Sequence, residues 1–140
     1  MKDNKCEGCK DGIESMLEHQ DELIKKHGWM IHYVTPDEEY PFGTNIHTHG
    51  FKKSFDHIDI QICVPLSPDA VQGILNTVAA RIKAGEIFKA NRKYNNIIEK
   101  FPVQMRTVKE GGREVLRMVF PDKNGSFDSE FSKTQTSDIT

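Results

Sequence analysis

The sequence is short of several things. Its charges nearly cancel, with 19 Lys and Arg against 21 Asp and Glu and a net charge of −2. No basic stripe runs along any segment, so no nucleic-acid partner is expected. No apolar run approaches the roughly 18 residues that a membrane helix needs, and no membrane span is expected. The polar start, Met1-Lys-Asp-Asn-Lys-Cys6, lacks the apolar stretch of a secretory leader. A cytoplasmic location follows as the expectation. Three cysteines, an odd number, argue against a disulfide framework and leave free thiols or a metal site as the better readings. No internal repeat is visible.

What is present describes one soluble domain of ordinary size. A chain of 140 residues can bury a core without staples. Residues 1–10 read as a polar segment carrying Cys6-Glu-Gly-Cys9, residues 11–120 as a single α+β domain, and residues 121–140 as a mobile polar tail. Ile13, Met16, Leu17, Gln20 and Ile24 fall at helical spacing, with Asp11 as N-cap and His27-Gly28 as the stop. Trp29–Thr35 and Thr44–Thr48 read as strands, with a Pro-bracketed loop between them. Gly50–Asp56 reads as a connecting loop. Ile58, Ile60, Ile62 and Val64 then alternate with Asp59, Gln61 and Cys63, the mark of a strand with one apolar face.

Ser67-Pro-Asp69 opens the strongest helix, with Val71, Ile74, Leu75, Val78, Ala79 and Ile82 on one stripe and Gly85 at its end. Residues 86–100 fit a covering loop or a short helix. Phe101–Val108 and Glu114–Phe120 read as a hairpin across Glu110-Gly-Gly-Arg113. The expected fold is α+β: a mostly antiparallel five-stranded sheet with two main helices packed on one face. Alternation then sends His47, His49, Asp59 and Gln61 to the other face, with His32, Gln104 and Arg106 as further candidates.

Several of these features taken in order resemble a known family. They are the early Cys-x-x-Cys, the helix closing in His27-Gly28-Trp29, the Thr-containing strand ending in Gly50, the Pro-led helix with Arg81-Ile-Lys-Ala-Gly85, and Pro102-Val-Gln-Met-Arg106 before the last strand. Together they resemble the bacterial domain of unknown function 4262 over residues 6 to 122. The resemblance implies a bacterial source and supports the fold reading. It implies no activity and no catalytic residue. Asn45-Ile-His-Thr-His-Gly50 departs from the aromatic-Thr-x-Gly-Leu element of that pattern.

Three constellations have the residue types for chemistry. Cys6-x-x-Cys9 has the spacing at which two thiolates share a tetrahedral zinc ion. It also stands before a helix, where a thiol becomes more acidic, and it equally suits an inert terminal segment. One pair is half a zinc site, so His47, His49 or Cys63 would complete it. His47-x-His49 puts two imidazoles on one strand face, suited to a shared metal or to hydrogen bonds at an edge or dimer contact. Asp56-His57-x-Asp59 has the types of a base with an orienting carboxylate, but equally suits a loop-to-strand junction.

Two functional readings follow. The first is a binding module whose sheet face, centred on His47, His49, Asp59 and Gln61, takes a small ligand, a metal, a protein partner or a second copy of the chain. The second is a metal-dependent hydrolase using His47 and His49 with Asp59, and His57 as base. Metal ligands are expected among His47, His49, Cys6 and Cys9, with zinc as the ion. The residues leave enzyme and non-enzyme both open.

Overall fold

The fold is a computed structural model that describes residues 26–34, 38, 40–110 and 112–137. The Cys6-x-x-Cys9 segment and the helix expected from Ile13 to Ile24 lie outside them. Gly28 has a φ of +87°, the left-handed conformation expected of a residue that stops a helix.

Among the described residues six strands form one sheet: β1 (Met30–Val34), β2 (Asn45–His49), β3 (Ile60–Ile62), β4 (Lys93–Tyr94), β5 (Val103–Glu110) and β6 (Arg113–Val119). Their spatial order is β1-β2-β3-β6-β5-β4. Every pair is antiparallel except β3 with β6, which is parallel. The expectation of five strands is therefore corrected to six, and of a mostly antiparallel sheet to a mixed one. The sixth strand, β4, has two residues and falls in the stretch 86–100 that periodicity left open. The parallel pair arises because β3 and β6 are not neighbours in sequence. The long connection between them carries a helix, which is what a parallel crossover requires.

That helix, α2 (Pro68–Lys83), follows α1 (Phe51–Phe55), and α3 (Glu130–Thr134) comes last. The residues of α2 explain its bounds. Ser67 Oγ accepts from the Ala70 amide at 3.2 Å, Pro68 starts the first turn, and Asp69 sits where the helix end is positive. Arg81 and Lys83 occupy the negative last turn. Val71, Leu75, Val78, Ala79 and Ile82 are buried in one core with Ile46, Ile60, Ile62, Met105, Leu116 and Met118. Register explains the sheet side of that core: Ile46 pairs with Ile62, Ile62 with Met118, and Met118 with Met105. Among the described residues α2 alone is a long helix; α1 and α3 have five residues each.

The other face is crossed by a second row in the same register. His32 pairs with His47, His47 with Gln61, Gln61 with Arg117, and Arg117 with Arg106. This polar row spans five strands, yet Gln61 and Arg117 are only 0% and 1% exposed. The C-terminal segment explains their burial. Ser129 caps α3, Ser132 Oγ donates to the Phe120 carbonyl at 2.8 Å, and Arg117 donates to the Gln135 carbonyl at 2.9 Å. Phe42 and Phe131 stack with ring centres 5.8 Å apart, and the Arg117 guanidinium lies over Tyr40. Within the segment read as a tail, Ser132 and Gln135 are buried. Polar side chains anchor this segment, so apolar content gave no sign of it.

Candidate metal centre

The site forms where β1 and β2 meet. Odd-numbered residues of β2 point to the polar face, so Asn45, His47 and His49 stand in line, and pairing with β1 brings His32 opposite His47. One ring nitrogen from each of His32, His47 and His49 lies within 4.8 Å of the other two. His47 Nε2 and His49 Nε2 are 3.0 Å apart. The His32 ring centre is 5.0 Å from that of His47 and 5.6 Å from that of His49. His47 is buried, while His32 and His49 are half-buried. The group therefore has a fixed inner member and two that face outward.

Behind His47 runs a chain of buried amides. His47 Nδ1 is hydrogen-bonded to Asn45 Oδ1 at 3.0 Å, and Gln61 Nε2 donates to the same oxygen at 3.0 Å. Arg117 Nε donates to Gln61 Oε1 at 2.7 Å. Asn45, Gln61 and Arg117 are each 4% exposed or less. Partners that fix the ring of a ligating histidine in this way are a regular feature of metal sites.

The residues expected from sequence divide on this geometry. His47 and His49 come together, joined by His32, which the strand pattern had placed only at the margin of the site. Gln61 sits on the same face but is enclosed, so it supports the cluster from behind. Asp59 is elsewhere. Its Oδ1 accepts from Thr48 Oγ1 at 2.7 Å and from the Phe51 amide at 3.2 Å, and its Oδ2 pairs with Arg113 at 2.8 Å. Thr48 alternates with His47 and His49, whereas Arg113 falls in line with Arg117, so Asp59 lies between the two faces and is not among the converging ligands. The physical reason is that β3 begins at Ile60, and Asp59, just before it, does not follow the strand's alternation.

His57 is likewise committed. Its Nδ1 is hydrogen-bonded to the Ile58 carbonyl at 2.7 Å, and its Nε2 accepts from the Phe88 amide at 2.9 Å. Those bonds hold the stretch after α2 against the loop before β3. Cys63 is buried and is not one of the three converging ligands. Cys6 and Cys9 lie outside the described residues. Trp29 is in the core, edge-on to Phe51 at 5.4 Å. Asn45, Arg117 and Gln135 also support the site; strand alternation places Asn45 beside the two histidines, while no local pattern marks Arg117 or Gln135.

The chain belongs to the family described as Domain of unknown function (DUF4262), which matches residues 23–130. No curated protein and no solved structure matches it. No helix of the described residues is long and apolar enough to cross a membrane.

Proposed function

We propose that this domain is a metal-binding module that holds one divalent ion, zinc by its ligand chemistry, on His32, His47 and His49. One observation carries the reading: three imidazoles from two adjacent strands converge within 4.8 Å. Imidazole suits zinc, copper and nickel, whereas calcium and magnesium prefer oxygen. Zinc lies about 2.0–2.1 Å from each nitrogen, which in tetrahedral geometry sets ligand nitrogens roughly 3.3 Å apart. The His47–His49 pair is near that spacing at 3.0 Å. The remaining gap falls on His32 and His49, the half-buried members of the group.

Three histidines leave a fourth position for a water, a small ligand, or a thiolate from Cys6 or Cys9. We favour a binding role over hydrolysis, because Asp59 and His57, the acid and base that a hydrolase would use, are held in bonds away from the histidines. We also place the domain's end at Gln135, the last buried side chain among the described residues. A bacterial cytoplasmic protein that works alone or as a homodimer fits this role.

Elemental analysis after expression in zinc-supplemented medium tests the proposal. About one equivalent of zinc is expected in the purified protein, and its loss in His32→Ala, His47→Ala and His49→Ala variants that keep the native circular dichroism. A metal-free wild type, or metal retained in all three variants, overturns it.

A further inference from the structure

The buried amides behind His47 have a direction, and Arg117 sets it. A guanidinium carries only donors and is not deprotonated in proteins. Arg117 Nε donates to Gln61 at 2.7 Å, so the Gln61 atom facing it must be the carbonyl oxygen. The other Gln61 atom is then the NH₂, which donates to Asn45 at 3.0 Å. The Asn45 atom that receives it must be Oδ1. That oxygen also faces His47 Nδ1 at 3.0 Å, and an amide oxygen only accepts. His47 Nδ1 must therefore carry the proton. No amide in this relay can turn over without setting donor against donor beneath the sheet surface.

We infer that Arg117, through Gln61 and Asn45, is a positioning residue that fixes neutral His47 as the Nδ1–H tautomer and so presents the lone pair of Nε2 to the cluster. The inference rests on the metal-binding reading only for its use. The tautomer itself follows from the hydrogen bonds. Without metal, the neighbour at 3.0 Å, His49 Nε2, donates to His47 Nε2, so the two rings are opposite tautomers. With zinc bound through both Nε2 atoms, the His49 proton moves to its own Nδ1, while His47 needs no change. Reach extends further back, because Arg117 also donates to the Gln135 carbonyl at 2.9 Å and is thereby held by the C-terminal segment.

Two substitutions separate this relay from simple electrostatics. In Gln61→Glu the new carboxylate still accepts from Arg117 but has no proton to pass on. Asn45 then turns its NH₂ toward both neighbours, and His47 must carry its proton on Nε2. Charge alone predicts that an added carboxylate tightens zinc binding. The relay predicts the opposite, a loss of about 10–100-fold, the usual effect of disturbing a ligand's partner. In Asn45→Asp the carboxylate accepts from both Gln61 and His47, the direction is kept, and affinity is retained or raised.

The experiment is ¹⁵N NMR of the imidazoles in metal-stripped protein at about pH 8, where histidine is neutral by its ordinary value, together with zinc titration of the same samples. Expected are Nδ1–H for His47 in the wild type and Asn45→Asp, and Nε2–H in Gln61→Glu. A wild-type His47 with its proton on Nε2 overturns the inference, whether or not Gln61→Glu folds. So does a Gln61→Glu protein that keeps Nδ1–H, or that binds zinc as tightly as a zinc-binding wild type. A wild type that shows the expected tautomer but binds no zinc removes the proposed function and leaves the relay standing.

Discussion

Gln135 clasps the backbone of Phe120 at two points. Its Oε1 accepts from the Phe120 amide at 2.7 Å, and its Nε2 donates to the Phe120 carbonyl at 2.9 Å. The side chain thus stands in for a strand partner where β6 has ended, and Gln135 is 1% exposed. Replacing it with alanine strands the buried Phe120 amide and leaves the Phe120 carbonyl with Ser132 Oγ alone. Gln135→Ala is expected to lower unfolding free energy by about 1–3 kcal/mol, the cost of leaving buried polar groups unmatched. Urea denaturation checks this. A midpoint equal to wild type would mean that α3 does not stay docked in solution.

Gly50 turns the chain from β2 into α1 at a φ of +106°. A Cβ there would stand 2.7 Å from the Gly28 carbonyl oxygen, which is backbone and cannot swing aside. Gly50→Ala is expected to cost about 1–3 kcal/mol in backbone strain, with the steric clash in addition. Thermal unfolding is the measurement. Because Gly50 follows His49 directly, the same variant should bind zinc more weakly.

Asp59 ties β2, α1 and the hairpin together through Thr48, Phe51 and Arg113. Asp59→Asn keeps the two acceptor bonds by turning its oxygen toward them, but then sets an NH₂ against Arg113. A loss of about 1–3 kcal/mol in stability is expected, with zinc affinity unchanged. Should zinc affinity fall in protein that unfolds like wild type, Asp59 would belong to the metal site after all.

Asp122 supplies a pH test. The amides of Ser126 and Asn124 donate to its carboxylate and hold its pKa below the ordinary 3.8. A depressed folded-state pKa gives stability that is present above the ordinary value and is lost as pH falls through the lower folded one. Amide exchange of Asn124 and Ser126 should therefore speed up relative to the rest of the chain as pH drops below about 4. In Asp122→Asn that acid dependence should vanish. Both hydrogen bonds stay within residues 122–126, so the effect is local to the turn.

Much of this was readable from residue spacing. The Ser67-Pro68 start, the stripe from Val71 to Ile82, the alternation around Ile60 and Ile62, and the hairpin of β5 and β6 are local signals, and each lies where local rules placed it. His47 and His49 on one face followed from strand period alone. What escaped was set by distant partners. Nothing near Ile60 announces a parallel neighbour at Leu116. Asp59 sits one residue outside the strand, so alternation did not apply to it. His32 joins the cluster only through the β1–β2 register, which spacing within one strand does not give. Phe51–Phe55 is too short for helical period to show. The burial of Ser132 and Gln135 rests on hydrogen bonds to Phe120, and a hydropathy reading takes such residues for solvent-facing ones.

The parallel joint between β3 and β6 has a bearing on how the protein is made. Gln61 and Arg117, bonded across that joint, are 56 residues apart in sequence. At a translation speed of about 5–20 residues per second, the nascent chain leaves the ribosome with β3 still waiting several seconds for its neighbour. During that interval the first three strands offer an open flank to any extended polypeptide nearby. Chaperones that shield such flanks would matter most for this protein during its own synthesis, before the last quarter of the chain has emerged.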